Sequence, residues 1–218
     1  MDNLSLNNIR PDRILGTLAI CGIVGPITYA IVLTVLGSLC SGYNPITQYM
    51  SELGAVDAPH AIVMNVLGFQ LLGIFMIAFG LGLNRGISKG WDSRIGVALI
   101  IIAGVNMVTV GFFPCDPGCV NVSSTGIGHS IAAMVASIAM TFGMFVVSLH
   151  LRKNSLWRNY WVFTLTFAMA ATFLSPLPMF SIFSPWAGLL QRLGLGLALL
   201  WMEVISIKLL RMSVRSSA

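Results

Sequence analysis

The sequence predicts an all-α fold, an integral membrane bundle of six transmembrane helices forming one domain over residues 1–218. Composition is the first reason: 56% of the side chains are hydrophobic and 9% charged, where soluble domains carry about 25% charged residues. Too little polar surface remains to cover a water-facing globule. The second reason is that the apolar residues gather into six runs, each near the roughly 20 residues a helix needs to cross the hydrocarbon core. The third is where the charge falls. Eleven of the twelve Lys and Arg residues lie near the termini or around every second connection, and the positive-inside rule makes that side cytoplasmic, both termini included. A net charge of +5 spread in this way reads as membrane orientation, not as a nucleic-acid-binding face.

The first span covers about 14–40. It exceeds the ~7–15-residue apolar core of a cleaved signal peptide, and Pro26 within it predicts a kink because proline removes a helix donor. The next loop has an order of its own. Asn44-Pro45 is a helix start, Gly54 a stop, and Ile46, Tyr49, Met50 and Leu53 recur at helical spacing on one side. Together they predict a short interfacial helix in the first outer loop, with Glu52 turned to water or over the bundle. The second span, about 59–83, carries Asn65 and Gln70, and the third, about 93–113, carries Asn106. The fourth, about 126–151, opens on His129. In the fifth, about 160–181, Ser175-Pro176-Leu177-Pro178 predicts a kink or an early exit. The sixth, about 186–210, carries Arg192 and Glu203.

Alternating topology brings Glu52, Asp57, His60, Asp116, His129 and Arg192 to the outer face. Ionisable groups at or within spans are costly and tend to mark function. Asp116 and His129 flank the polar break between the third and fourth spans, so the acid is placed to orient the imidazole as a general base. Glu52 would assist, and Ser51, Ser130 or a water would be the nucleophile. Asp116-Pro117-Gly118 is also turn chemistry in its own right, and a histidine at a helix start also serves to bond a loop carbonyl. His60, His129, Asp116 and Glu52 offer ligands suited to zinc, but no pair has HxxxH or HExxH spacing, so no metal is assigned and no cofactor is named.

Arg192 lies roughly 9 Å inside the sixth span, and Glu203 follows on the same face about 16 Å deeper, too far to pair with it. Arg192 therefore calls for Glu52, Asp116 or a lipid phosphate, or else snorkels to the headgroups. Asn65, Gln70 and His60 complete a candidate substrate-binding set, although Asn65, Gln70 and Asn106 equally suit interhelical hydrogen bonding. Cys115 and Cys119 frame the turn on the oxidising side and are a candidate disulfide. Cys21 and Cys40 read as buried thiols.

The stretch Tyr49-Met50-Ser51-Glu52-Leu53-Gly54-Ala55, followed by Phe113-Pro114-Cys115-Asp116 and by His129, resembles the prokaryotic membrane family catalogued as domain of unknown function 998. That resemblance implies six spans in a prokaryotic cytoplasmic membrane and no known activity. The chain is more faintly similar to the DRAM-type six-helix family, whose outer loop has a similar Ser-acid-x-Gly stretch and some of whose eukaryotic relatives act in lipid remodelling and membrane trafficking. This second likeness implies a lipid. Membrane hydrolases of the alkaline ceramidase type carry an HxxxH metal motif that is missing here, which argues against a zinc hydrolase.

The expected function is an outward-facing polar pocket of Glu52, Asp116, His129 and Arg192 that binds or processes a lipid or lipid-like headgroup, hydrolysis being the chemistry an Asp116–His129 pair would support. The alternatives are a small transporter, with Glu203 as an inner relay, and a scaffold without chemistry. Membrane lipids are the expected partners and nucleic acid is not one.

Overall fold

The computed structural model describes residues 12–215; Arg10, part of the predicted cytoplasmic charge, lies outside them. Six helices are long and apolar enough to cross a membrane. They are α1 (Arg13–Leu39), α2 (Ala61–Gly86), α3 (Trp91–Phe112), α4 (Ser124–Lys153), a fifth over Arg158–Met179 whose α-helical part is α5 (Trp161–Leu174), and a sixth over Ser181–Val214 that is mostly α6 (Ala187–Arg215). Asp12 caps α1 by accepting from the Leu15 amide at 3.1 Å, and the helix continues through Pro26. α5 stops at Leu174, where the prolines at 176 and 178 cannot donate to a continuing helix. Two 3-10 turns, Leu177–Met179 and Ser181–Trp186, then lead into α6.

Each helix packs on its sequence neighbours, and α6 closes the ring against α1. Small residues set the closest approaches. Gly73 of α2 lies against the Gly104 carbonyl of α3, and Gly96 of α3 lies against Gly143 of α4. Phe79 meets Trp201 edge-on at 5.4 Å, and the buried indole of Trp201 donates to Thr164 Oγ1 at 3.0 Å. Asn106 does not bridge helices: its amide donates to Ile102 of its own helix at 2.9 Å. Cys21 and Cys40 are free and half-buried, not buried as the sequence suggested.

The two ends of the bundle differ. At the basic end Arg85 pairs with Asp12 at 2.6 Å, the Asp12 amide donates to the Ser213 carbonyl at 3.2 Å, and Trp157 Nε1 donates to the Gly86 carbonyl at 3.2 Å. At the far end, the segment expected to be an interfacial helix takes another form. Residues 44–48 make one turn, in which Asn44 Oδ1 accepts from Ile46 N at 2.9 Å and Gln48 Oε1 accepts from Asn44 N at 2.7 Å. Tyr49 then extends (ψ 147) and a 3-10 helix, Met50–Gly54, follows with Met50, Ser51, Leu53 and Gly54 buried. The side chains of Asn44 and Gln48 satisfy the backbone locally, which ends the helix after one turn, and Met50 and Leu53 turn into the bundle while Ile46 stays exposed.

A candidate lipid-binding groove and its supporting loops

The buried 3-10 helix ties the far end together. Glu52 Oε1 accepts from the Tyr49 amide at 2.8 Å and its Oε2 from Gln48 Nε2 at 2.9 Å. The Met50 amide donates to Gln191 Oε1 of α6 at 2.7 Å, and Tyr49 Oη donates to the Pro178 carbonyl at 3.0 Å. Asn65 Nδ2 donates to the Gly54 carbonyl at 2.9 Å, and a side chain at Gly54 would put a Cβ 2.6 Å from Asn65 Oδ1. Asn65 reaches that carbonyl from a π turn within α2, Met64–Gln70. Such turns recur at functional sites. Gln70, in the same turn, is half-buried and packs beside Gly111.

The loop between α3 and α4 is built around Asp116, which is 7% exposed. Its Oδ2 accepts from Val122 N at 2.9 Å and Ser123 N at 2.8 Å, and its Oδ1 accepts from Ser123 Oγ at 2.6 Å. Ser123 Oγ in turn caps α4 by accepting from Gly126 N at 3.0 Å. The Ser123 hydroxyl first, and then the two amides, hold the Asp116 carboxyl below the ordinary carboxylate range. A disulfide joins Cys115 and Cys119 with their Cα atoms 5.0 Å apart, and Gly118 between them takes a left-handed φ of 65°. Val56 N donates to the Cys115 carbonyl at 3.0 Å, docking this loop on the 3-10 helix.

His129 is 3% exposed, and the expected partnership with Asp116 is not made. The Phe113 carbonyl, 2.7 Å from Nδ1, orients the ring instead. A carbonyl only accepts, so Nδ1 carries the proton and Nε2 presents a lone pair. That Nε2 and Asn65 Oδ1 are buried without a hydrogen-bond partner. The reason Asp116 does not reach His129 is local: its oxygens are engaged by nearer donors at 122 and 123. Ser51 is buried with its carbonyl 3.3 Å from Sγ of Cys115, Ser130 donates to Asn121 Oδ1 at 2.5 Å, and His60 is exposed at the start of α2. The four residues considered as zinc ligands are not gathered. Among the described residues, no three His, Cys, Asp or Glu side chains are placed to hold a metal ion.

Arg192 pairs with no carboxylate among the described residues. Its Nη1 donates to the carbonyls of Pro45 (2.7 Å), Gln48 (3.3 Å) and Gly188 (3.0 Å), and its Nη2 donates to Tyr43 Oη at 2.6 Å. Tyr43 Oη donates in turn to the Tyr49 carbonyl at 3.0 Å. Burial raises the Tyr43 phenol, against the pull of the guanidinium. Arg192 stands at the mouth of a cavity of about 630 Å³ between α1 and α6, within the range of small-molecule sites. The two helices touch closely at the basic end, where Gly16 faces Ser213 and Gly22 faces Ser206, and part toward the far end. Tyr29, Leu33, Leu195 and Leu199 line the gap, together with Gly196, where an added Cβ would meet nothing within 4 Å. Thr34 and Ser38 turn their hydroxyls back to their own helix, donating at 2.8 Å and 2.7 Å. The groove is thus apolar along its walls and cationic at its mouth.

One family profile, described as protein of unknown function DUF998, matches residues 23–208. The chain belongs to DUF998. Comparison with curated proteins and with solved structures returned no match. In this DUF998 protein, Tyr49, Glu52, Gly54, Cys115 and Asp116 are joined by the contacts above into one cap over the far end.

A second polar cluster of the DUF998 chain, at the basic end, escaped the sequence reading. Asp92, in the first turn of α3, accepts from His150 Nδ1 at 2.8 Å and from Lys153 Nζ at 3.0 Å. Ser88 Oγ lies 3.0 Å from His150 Nε2 and accepts from Asn154 Nδ2 at 2.9 Å. The sequence distance between Asp92 and His150 hid the pairing, and only the antiparallel packing of α3 on α4 brings them together.

Proposed function

We propose that this protein binds an anionic membrane lipid, with the headgroup at Arg192 and Tyr43 and an acyl chain in the α1–α6 groove. The observation that carries the reading is a guanidinium that contacts no carboxylate among the described residues and stands above apolar walls. Arginine has five N–H donors, and the contacts just described leave Nε–H and one Nη2–H of Arg192 without a partner among the described residues. Those two donors suit a phosphate or carboxylate oxygen. Binding is favoured over hydrolysis because Asp116 is committed to its loop and does not reach His129.

The test is lipid retention by purified protein from mixed anionic and zwitterionic nanodiscs, read by mass spectrometry. Wild type is expected to enrich the anionic lipid, and Arg192→Gln to lose that enrichment by roughly tenfold or more, the scale of a charged hydrogen bond. Gly196→Leu fills the groove while keeping the Arg192 charge and is expected to displace the lipid as well. Equal retention of both lipid classes by all three proteins would rule the reading out.

The far end, on this reading, faces outward and the basic end faces the cytoplasm of a prokaryotic cell. The support is the gathering of Arg85, Lys89, Arg94, Arg152, Lys153 and Arg158 around the connections at one end. A C-terminal reporter active only in the cytoplasm is expected to be active. Activity from a periplasm-only reporter at that position would invert the topology.

A further inference from the structure

The geometry points to a nucleophilic serine site at the basic end, Ser88–His150–Asp92, that cleaves carboxylic esters presented at the membrane boundary. The proton positions follow from the partners. Ionised Asp92 can only accept, so His150 carries its proton on Nδ1 and leaves a lone pair on Nε2. Asn154 Oδ1 accepts from Leu156 N at 3.0 Å, which fixes its Nδ2 toward Ser88 Oγ. The Ser88 hydroxyl, accepting from Asn154, therefore donates to His150 Nε2 over 3.0 Å. Every group in the chain has its proton where a serine nucleophile, a general base and an orienting acid require it.

Four further features suit a working site. His150 is buried while Ser88 is exposed, so the base is shielded and the nucleophile is open to a substrate. Gly90 lets the backbone pass over the imidazole: a Cβ there would lie 2.7 Å from Asp92 Oδ1 and 3.4 Å from the His150 ring. The amides of Ser88 and Lys89 have no hydrogen-bond acceptor among the described residues, and the amides at and after a nucleophile commonly supply oxyanion donors. Trp91, 82% exposed beside the site, is the kind of residue that sits at headgroup level.

In the reaction, Ser88 Oγ bonds to the ester carbonyl carbon as its proton passes to His150 Nε2. The bond from carbonyl carbon to alkoxy oxygen breaks, and Nε2 returns the proton to the departing alcohol. Water then attacks the acyl-serine, Nε2 takes its proton, the acid leaves, and Ser88 regains its hydrogen. Ester and water become acid and alcohol, with no other reactant. Asp92 is a positioning residue, holding the imidazole in its tautomer while Lys153 balances the carboxylate.

The test is labelling of the full chain in nanodiscs with a fluorophosphonate, with the modified serine located by peptide mass spectrometry. Ser155, exposed at the same end, is the internal reference. Ser88 is expected to be labelled and Ser155 not, with Ser88 labelling slowed about 100-fold or more in His150→Gln, the lower range for a general base. Asp92→Asn, which lets the ring change tautomer, is expected to shift the pH profile of labelling, and Asp92→Glu to restore it. Absence of an adduct on Ser88 in wild type overturns the inference, and so does labelling of Ser155 at the same rate. A His150→Gln rate equal to wild type overturns it too.

Discussion

Gly73→Val is expected to cost about 3 kcal/mol or more, the upper range for overpacking a core, and to remove most of the folded protein at growth temperature. A Cβ at position 73 would lie 2.5 Å from the Gly104 carbonyl oxygen and 2.6 Å from the Val108 amide nitrogen. Both are backbone atoms and cannot swing aside, so α2 and α3 must separate along their shared length. The reciprocal site is nearly as tight, with a Cβ at 104 lying 2.8 Å from the Gly73 oxygen and 3.0 Å from Ile77 N. Stabilities are typically about 5–15 kcal/mol, so such a loss is a large share of the whole. Thermal unfolding followed by tryptophan fluorescence in detergent reads it, with Gly196→Ala as the control, since that position is open. If Gly73→Val melts with wild type, α2 and α3 do not touch there.

Asp116→Ala is expected to free the loop between α3 and α4 while leaving the helices folded. The change removes the carboxylate that accepts from Val122 N, Ser123 N and Ser123 Oγ, leaving Val122 N only the Val120 carbonyl at 3.2 Å and the α4 cap without its anchor. Hydrogen exchange at the Val122 and Ser123 amides should accelerate by roughly tenfold or more, as expected for loss of charge-assisted bonds. Asp116→Asn keeps one accepting oxygen and should fall between. The pH dependence has a definite sign. The folded carboxyl is held below its ordinary value, so its contribution is present above the unfolded pKa of about 3.9 and is lost as pH falls through the lower folded value. Protection of these amides should persist at pH 4 and disappear only in stronger acid. Loss of protection between pH 7 and 5 would mean that Asp116 does not hold the loop.

The spans were legible because apolar length is a one-dimensional signal: about 20 residues either are or are not hydrophobic. Charge placement likewise separates the two ends without any contact being known. The site was less legible because its decisive partners are backbone atoms. Arg192 called for Glu52, Asp116 or a lipid phosphate; among the described residues neither carboxylate reaches it, whereas three carbonyls and a phenol do. Every residue has a carbonyl, so no sequence pattern marks these three. Asp116 and His129 flank one loop, yet the nearer donors at 122 and 123 take the carboxylate first. Local side-chain-to-backbone bonding, which is strong for Asp, Asn and Ser, explains this and also the single turn at Asn44. Asp92 and His150 each sat in a stretch read only for its basic neighbours, and their meeting depends on which helix ends adjoin.

The π turn in α2 has a consequence for how this helix can vary. An α-helix advances about 100° per residue, and a π turn accommodates one residue more than an α turn. The helix before Met64 is therefore out of phase with the helix after Gln70. Asn65, which bonds the Gly54 carbonyl, lies within that offset. Deleting either Val66 or Leu67, which are 43% and 47% exposed, would give a smoother helix and swing Asn65 away from the carbonyl it holds. Side-chain identity is loosely constrained on that outer surface, whereas residue count is not. A single-codon deletion there would be as disruptive as a polar substitution in the core, although every residue that remained would suit a membrane.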